Sequence, residues 1–418
     1  MYNMKLNKLS IILCTMAAFI MCACGGKKAE ETHQGNMKYR VLGSTGIEVG
    51  EIGIGCGVFE ELDTAQSRAY MDVAIDSGIN YIDIYDPNPD VRAKIGYALR
   101  GRRDKMNIQG HIGCYWDEEL NQYKRTRTVE AAKKGFEDLL RLLETDYIEV
   151  GMMHIFDDMA DWDSVQGSDY FKYVQQLKKE GKIKHIGMSS HNAEVALAAA
   201  KSGLVEVIMF SLNPAFDRVS ADKSIWDTNS YKNMLAGVDP VRTELYNYCV
   251  SHKIAIVVMK AFGGGGRLLD EKRSPLGFAL TTNQCLAYSL ANPSVAVSLC
   301  GTKNIEQLVE NLKYLTASDE DKDYSIIYKK ETADVACGDC TYCSHCAPCP
   351  AGIDIAKVNE LLDLAKKDGK VSPQLQAQYD ALQHHAGECT NCGGCETRCP
   401  FKVSVREKMK EAVKTFGK

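Results

Sequence analysis

Short apolar segments alternate with amphipathic ones from residue 37 to about residue 315. Eight of the apolar segments have the length of buried β-strands, and they are Glu51–Gly55, Asn80–Tyr85, Asn107–His111, Tyr147–Met152, Lys184–Met188, Val205–Phe210, Ile254–Met259 and Val295–Leu299. Helical patterns lie between them, as in 129–143, where apolar residues recur every three or four positions (Val129, Ala132, Phe136, Leu139, Leu140 and Leu143). This alternation predicts an α/β fold, a (β/α)8 TIM barrel over residues 37–316.

An open doubly wound sheet is the competing fold. Such a sheet, when it binds a dinucleotide, carries a Gly-x-Gly-x-x-Gly turn after its first strand, and none follows the first predicted strand here. The glycine run Gly263–Gly266 comes after the seventh strand instead, where barrels often bind phosphate. A glycine run alone also fits a mobile loop, so the strand pattern decides for the barrel.

The two ends of the chain differ from this pattern. Residues 1–24 join two lysines to an apolar run that is short for a membrane span, which predicts a lipoprotein signal peptide with Cys24 as the lipid-bearing residue. Residues 25–36 would then be a flexible tether, and the lipid would be the protein's only attachment to the cell envelope. If translation starts at Met37, the protein is cytoplasmic instead. Residues 317–333 are charged and aperiodic and predict a linker.

Cysteines dominate the remaining segment, 334–418. Nine of the 17 cysteines lie in the runs "CGDCTYCSHCAPCP" and "CTNCGGCETRCP", on either side of a helical stretch at about 355–385. Thiols packed this closely would strain most disulfide pairings, and they exceed what a tetrahedral zinc site needs. The second run has the Cys-x2-Cys-x2-Cys-x3-Cys-Pro spacing of bacterial ferredoxins. We therefore expect a small, mostly helical, ferredoxin-like domain with two 4Fe–4S clusters.

In two-cluster ferredoxins the fourth cysteine of each run binds the other cluster. This pattern predicts one cluster on Cys340, Cys343, Cys346 and Cys399, and a second on Cys389, Cys392, Cys395 and Cys349. Cys337 is left over, and a shifted register would put it in place of Cys340. We prefer Cys340, because Cys349 then precedes a proline as Cys399 does.

Several barrel segments resemble the aldo/keto reductases. They are "MKYRVLGSTGIEVGEIGIGCGVF", "GINYIDIYD", "HIGMSSHN", "VVMKAFGGGGRL" and "SLCGTKNIEQLVENL". With the cysteine runs, the chain resembles the branch of that family that has a C-terminal ferredoxin-like domain. The resemblance implies a (β/α)8 barrel that reduces carbonyl compounds with NADPH and without a metal.

The family's catalytic tetrad is Asp, Tyr, Lys and His, and two members are matched here. Asp83 stands at the aspartate position and His154 at the histidine position, whereas Asn88 occupies the tyrosine position and His111 the lysine position. Tyr85 alternates to the same side of its strand as Asp83 and is a candidate substitute proton donor. His111 could supply the positive charge or the proton itself, because histidine is the side chain that ordinarily changes charge near neutral pH. The predicted acid–base site is thus Asp83, Tyr85, His111 and His154. A metal on the histidines with Asp83, Asp86 and Asp157 is an alternative.

The cofactor positions of the family are better matched. The resemblance implies that the nicotinamide end contacts Ser189, Ser190, Met259 and Lys260, and that the adenosine end contacts Gly301, Thr302, Lys303, Gln307 and Asn311. Lys303 would bind a phosphate, and backbone donors at the start of the helix at 305–315 favour an anion. Met209 replaces a common glutamine and removes one contact to the carboxamide. We expect NADP(H), with NAD(H) not excluded.

The expected function is an iron–sulfur oxidoreductase of aldo/keto reductase type, which interconverts a small carbonyl compound and its alcohol; a sugar derivative is one candidate. Two one-electron clusters match the two electrons of a hydride, so an external electron-transfer partner is also expected. The alternative is an electron-transfer protein in which the barrel is a scaffold or binds a ligand. A net charge of −5 gives no basic face for nucleic acid, and 45% apolar residues indicate a globular chain.

Overall fold

The computed structural model describes residues 35–232, 234–235, 237–329, 340, 342, 346–347, 349–367, 369–399 and 402–418. The predicted signal peptide, with Cys24, lies outside these residues, as do Cys337 and Cys343. The strands of the described part are β1 (Tyr39–Val41), β2 (Glu48–Gly50), β3 (Ile52–Gly55), β4 (Tyr81–Ile84), β5 (Asn107–Ile112), β6 (Cys114–Asp117), β7 (Gln122–Arg125), β8 (Ile148–Met153), β9 (Ile183–Ser190), β10 (Val207–Ser211), β11 (Ala255–Met259) and β12 (Val295–Cys300).

The helices follow the strands as the sequence pattern predicts. They are α1 (Thr64–Asp76), α2 (Pro89–Leu99), α3 (Val129–Leu142), α4 (Met159–Val165), α5 (Asp169–Lys179), α6 (Ala193–Ser202), α7 (Pro240–Ser251), α8 (Thr282–Ala291), α9 (Ile305–Leu312), α10 (Ile326–Lys329), α11 (Ile355–Lys367), α12 (Pro373–Asp380), α13 (Gly394–Arg398) and α14 (Val405–Phe416). No helix of the described part is long and apolar enough to cross a bilayer.

Eight parallel strands close a barrel in the order β3-β4-β5-β8-β9-β10-β11-β12, and β12 pairs with β3 to complete the ring. The predicted (β/α)8 barrel is therefore confirmed. Its strands are buried almost throughout, because helices cover the outside and side chains fill the inside. This is why the sequence shows them as continuous apolar runs.

The apolar core has two layers. The helices pack on the outer face of the barrel, and α3 contributes Ala132, Phe136 and Leu139 to that layer. A second cluster fills the barrel interior and includes Val150, Met152, Val207, Met209, Val257 and Val297. The β1–β2 hairpin adds Leu42 and Val49 to the interior cluster and so closes the amino-terminal end of the barrel. The carboxyl-terminal ends of the strands are left for a site, as in other barrels of this architecture.

The segment predicted as a linker contains structure of its own. Helix α10 lies in it, and Tyr324, Ile327 and Tyr328 are buried. The Tyr324 hydroxyl donates to the backbone carbonyl of Arg398 at 3.2 Å, which ties this segment to the second cysteine run. The described part of the predicted linker, residues 317–329, thus packs against the barrel, where Tyr324 contacts Tyr288 of α8, and against the cysteine-rich segment. Its aromatic residues provide apolar area that a count of charged residues overlooks.

The cysteine-rich segment is largely helical where it is described. Helix α11 packs against α14, with Val358, Leu361 and Leu362 on one helix and Met409 and Ala412 on the other buried. The expected long helical stretch is two helices, α11 and α12, because the sequence between them carries Gly369 in the left-handed region, at φ +64°.

Candidate active site

A cavity of about 890 Å³ opens at the carboxyl-terminal end of the barrel strands. Its wall includes Asp83, Tyr85, His111 and His154, the four predicted acid–base residues. Further along the same cavity lie Gly301, Thr302, Lys303, Gln307 and Asn311, the predicted adenosine-end residues. The two groups are far apart in the sequence, and the barrel brings them to one cleft.

Three of the predicted acid–base residues form a hydrogen-bonded row at the base of the cavity. His111 Nε2 lies 3.0 Å from Asp83 Oδ1, and His111 Nδ1 lies 2.6 Å from His154 Nδ1. All three side chains are at most 2% exposed. Each leaves the barrel at a strand end: Asp83 from β4, His111 from β5 and His154 directly after β8. Neighbouring parallel strands place these ends side by side, which explains the contacts.

The row continues into a residue that the sequence analysis did not identify. The hydroxyl of Tyr123 lies 2.5 Å from His154 Nε2. Tyr123 belongs to β7, which pairs with β6 in an antiparallel hairpin inserted between β5 and α3. Asp117 starts the turn by accepting from the backbone N–H groups of Glu119 and Leu120. Aromatic residues on both sides of the turn from Asp117 to Asn121 are a sequence signal for such a hairpin.

The hairpin leaves the barrel through Gly113, whose φ is +99°. A side chain there would place a Cβ 2.8 Å from the Tyr170 hydroxyl, so glycine is required. The chain returns through Arg127, which donates to the backbone carbonyl of Ile155 at 2.7 Å and to the Asp161 carboxylate. These contacts hold Tyr123 against the histidine row.

A single proton arrangement satisfies the whole row. Asp83 is an acceptor when ionised, so His111 Nε2 carries the proton between them. His111 Nδ1 must then accept from His154 Nδ1–H, and His154 Nε2 must accept from the Tyr123 hydroxyl. Burial, followed by the neighbouring His111, lowers the pKa of His154 well below its usual range, which agrees with a neutral ring. Burial raises the pKa of Tyr123 to about 12, so the phenol keeps its proton.

Asp83 and Tyr81 are also linked by Gln109. Its amide nitrogen donates to Asp83 Oδ1 at 2.5 Å, and its carbonyl oxygen accepts from the Tyr81 hydroxyl at 2.8 Å. The same amide nitrogen lies 3.4 Å from the sulfur of Met209. Gln109 therefore fixes the carboxylate from the barrel interior, beneath the cavity floor, and this role was not predicted either.

Tyr85 lies at the cavity wall but outside the row. It follows the last residue of β4 and is 41% exposed. Its hydroxyl lies 3.2 Å from the place where a Cβ on Gly57 would be, so the ring leans toward the 3-10 turn Cys56–Glu60. Burial of part of the ring raises the pKa of the phenol above its usual range. Tyr85 is placed to contact a bound molecule rather than to orient Asp83.

A second hydrogen-bonded row crosses the cavity. Asp157 Oδ2 accepts from His191 Nδ1 at 2.9 Å, and His191 Nε2 lies 2.8 Å from Lys260 Nζ. Burial lowers the pKa of Lys260 to about 8 and also lowers that of His191. The indole ring of Trp226, 56% exposed, faces both His191 and Lys260. His191 and Trp226 were not predicted, although "SSHN" placed His191 directly after a strand.

The remaining nicotinamide-end residues have mixed positions. Ser189, Met259 and Lys260 line the cavity. The Ser189 hydroxyl accepts from the backbone N–H of Ile155 at 2.8 Å. The Ser190 hydroxyl donates to the carbonyl of Asn192 at 3.0 Å, and Asn192 caps the start of α6.

The glycine run Gly263–Gly266 forms one side of the cleft. All four glycines have positive φ, between +58° and +80°, which other residues adopt only with strain. Three of them, Gly264, Gly265 and Gly266, line the cavity. Glycine is thus required by the backbone, and it leaves the main-chain groups accessible to a ligand.

The adenosine end of the cavity contains a buried donor without a partner. Asn311, on α9, is 3% exposed, and its amide nitrogen makes no hydrogen bond to any described residue. The backbone N–H of Lys303 donates to the Gln307 side chain at 2.9 Å, and the Thr302 hydroxyl lies 2.7 Å from that of Tyr70. Asn304 caps α9. An unpaired buried donor beside a helix start and a lysine suits a polar, anionic ligand.

The predicted cluster ligands fall into two neighbourhoods. Cys349, Cys389, Cys392 and Cys395 line one small cavity. Burial raises the pKa of Cys340, and Cys399 acts in the same direction, so these two thiols lie within electrostatic range of each other. Cys346 lies in the same segment, and Cys343 is outside the described residues. Among the described residues, neither these thiols nor the alternative set with Asp83, Asp86 and Asp157 forms a group of three or more arranged to hold a metal ion.

Comparison with known proteins agrees with the fold. Residues 51–278 match the profile of the Aldo/keto reductase family. The chain is similar to the uncharacterized oxidoreductase YqkF of Bacillus subtilis, 27% identical over 67% of this chain and 92% of that protein. It is also similar to L-galactose dehydrogenase of Arabidopsis thaliana, 23% identical over 67% of this chain and 88% of that protein. The solved structure of aldo-keto reductase AKR11C1 from Bacillus halodurans superposes with a TM-score of 0.55, at 24% identity, over 70% of this chain and 96% of that one.

Proposed function

Because this chain belongs to the aldo/keto reductase family, and is accordingly an NAD(P)H-dependent oxidoreductase, we propose that it interconverts a small carbonyl compound and its alcohol with NADP(H). One observation carries the proposal. The Asp83–His111–His154 row and the adenosine-end residues share a single cavity. Hydride and proton could therefore reach the same substrate.

The cavity fits a nicotinamide dinucleotide. Lys303 and the start of α9 favour a phosphate, and the unpaired Asn311 amide offers a donor to a base or ribose. The glycine run leaves its backbone accessible to a pyrophosphate. The bound cofactor supplies hydride. Lys303 is the basis for preferring NADP(H), and NAD(H) is the other outcome of a binding test.

The protein's own groups would manage the proton. In a reduction, the carbonyl oxygen takes a proton as hydride reaches the carbon, and a positioned donor lowers the barrier. The Asp83–His111 pair lies at the cavity base and can give that proton and recover it through His154. In this proposal the row supplies the proton to the carbonyl oxygen, which is the role of lysine and tyrosine in the family's tetrad. Tyr85, at the wall, contacts the substrate and is the second candidate donor.

We propose a sugar-derived substrate class on two grounds. The exposed face of Trp226 in the cavity gives an apolar platform for the C–H face of a sugar ring, next to Lys260 and His191, which can bind hydroxyl or acidic groups. In addition, a relative in Arabidopsis thaliana is named L-galactose dehydrogenase. Neutral sugars, sugar lactones and sugar acids are the compounds to test.

For the cysteine-rich segment we propose two 4Fe–4S clusters with crossed ligation. The shared cavity of Cys349 with Cys389, Cys392 and Cys395 supports the second cluster, and the proximity of Cys340 to Cys399 supports the first. The clusters would store or pass single electrons, with an external electron-transfer partner. A lipid anchor on Cys24 is part of the proposal, and mass spectrometry of the envelope-bound protein tests it directly.

The decisive experiment uses the whole chain purified without oxygen. Iron and sulfide are counted, and NADPH oxidation is followed with 4-nitrobenzaldehyde, glyceraldehyde and a panel of sugars and lactones. We expect about eight irons per chain for two four-iron clusters, and turnover that requires the Asp83 row. No NADPH or NADH binding by calorimetry would contradict the proposal, and bound cofactor without turnover would favour a barrel that only binds ligand.

A further inference from the structure

The Asp83 row does not end inside the protein. His154 Nε2 is in contact with the Tyr123 hydroxyl, and Tyr123 is 40% exposed. Asp83, His111 and His154 are at most 2% exposed. The four side chains thus form an unbroken line of hydrogen bonds from the cavity base to the protein surface, with separations of 3.0, 2.6 and 2.5 Å.

The donor hydrogens in this line all point the same way, toward Asp83. The hydroxyl proton of Tyr123 points to His154, the Nδ1 proton of His154 points to His111, and the Nε2 proton of His111 points to Asp83. No other arrangement of neutral rings satisfies all three contacts when Asp83 is ionised. Each group is therefore ready to pass a proton inward and to receive one from its outer neighbour.

From this geometry we propose that Tyr123 is the surface end of a proton path that supplies the buried acid–base pair with protons from solvent, an inference that rests on the proposed function. During reduction, hydride forms the C–H bond and the carbonyl oxygen takes one proton from the Asp83–His111 pair. The His154 Nδ1 proton moves to His111, the Tyr123 proton moves to His154, and Tyr123 takes a proton from water or buffer. One proton enters, one leaves in the alcohol, and no electrons move along the path. The transfer leaves the protons on His111 Nδ1 and His154 Nε2, and both rings return to their starting tautomers before the next turnover.

The position of Tyr123 makes it a positioning and relay residue. It lies on a hairpin outside the barrel, and its hydroxyl contacts the row through His154. Trp116 is its cross-strand neighbour in the pairing of β6 with β7. Tyr115 pairs with Lys124 and points to the other face of the same hairpin, because successive residues of a strand alternate. Tyr115→Phe is therefore a matched control that removes a hydroxyl from the same element.

The first test measures the path without any substrate. In full-length protein with labelled histidine, magnetisation exchange by NMR gives the rate at which the Nδ1 proton of His154 exchanges with water. Tyr123→Phe should slow this exchange by about tenfold or more, because it removes the proton donor to a ring that is otherwise buried. Tyr115→Phe should leave it unchanged. Equal exchange rates in all three proteins would overturn the proposal.

The second test uses turnover. Tyr123→Phe should lower kcat with little change in KM for the aldehyde, and imidazole buffer should restore the rate as its concentration rises, since a small carrier can replace the missing hydroxyl. A lower rate that imidazole does not restore would indicate a structural role and overturn the proposal. If wild-type protein reduces no carbonyl compound, the proposed function fails, and the exchange measurement still decides whether the path exists.

Discussion

Replacing Asp83 by Asn separates the chemistry of the row from its stability. The carboxylate accepts from Gln109 at 2.5 Å and from His111 at 3.0 Å, both through Oδ1. The amide oxygen of Asn can accept both bonds, so the local geometry should survive. An amide cannot hold or return a proton, so the inner end of the row would lose its function.

The substitution should have a small effect on stability and a large effect on catalysis. Each bond loses its charge assistance, about 1 kcal/mol, but the cost of burying a carboxylate disappears as well. We therefore expect the free energy of unfolding to change by no more than about 2 kcal/mol. Acid–base catalysis contributes about 10²–10⁴-fold, which is about 3–5 kcal/mol in the activation barrier. The variant should stay folded and lose at least about a hundredfold in kcat/KM.

The assay is NADPH oxidation with 4-nitrobenzaldehyde at saturating cofactor, with urea unfolding on the same samples. Asp86→Asn is the control, since Asp86 is another buried carboxylate after β4, and it accepts from the backbone N–H of Asn88 at 2.9 Å, outside the histidine row. It should keep wild-type activity. An Asp83→Asn rate within about threefold of wild type would refute the assignment of acid–base catalysis to this row.

Three more results are expected. The affinity for NADPH should fall as the pH rises through 8, because Lys260 has a pKa of about 8 and loses its positive charge above it. Calorimetry should show that Lys260→Met binds NADPH more weakly and that its affinity does not change with pH in this range. Arg242→Met should lower the free energy of unfolding by about 3–5 kcal/mol, because it leaves the buried Asp217, 3.3 Å away, without its cation; urea unfolding should show that adding Asp217→Leu recovers most of the loss. Cys349→Ser should remove the electron paramagnetic resonance signal of the proposed second cluster and keep that of the proposed first cluster, and the opposite result would contradict crossed ligation.

The strands could be predicted because each one is visible in the sequence as a separate apolar run. Parallel strands buried on both faces appear as continuous apolar runs, so the predicted Asn107–His111 and the observed β5 differ by one residue. Asp83, His111 and His154 could be proposed because each stands at the end of such a run. Which strand ends lie next to each other in a barrel follows from the barrel topology alone.

The rest of the site depends on contacts between distant segments. Tyr123 reaches His154 from a hairpin, and Trp226 reaches His191 from the segment after β10. No local sequence pattern indicates how far an inserted segment folds back over the carboxyl-terminal end of the barrel. The packing of residues 317–329 was missed for a related reason, since a few aromatic residues such as Tyr324 suffice to pack a charged stretch against its neighbours.

The pairing that closes the barrel has a consequence for biosynthesis. Strand β3 pairs with β12, which joins Ile52 to Ser298. Until the ribosome has produced β12, the growing sheet keeps two open edges, and an open edge can pair with another chain. The cysteine-rich segment leaves the ribosome after that point. Iron delivered for the proposed clusters before the barrel has closed would meet a chain still exposed to aggregation. If the clusters form, the timing of their assembly relative to translation should influence the yield of native protein.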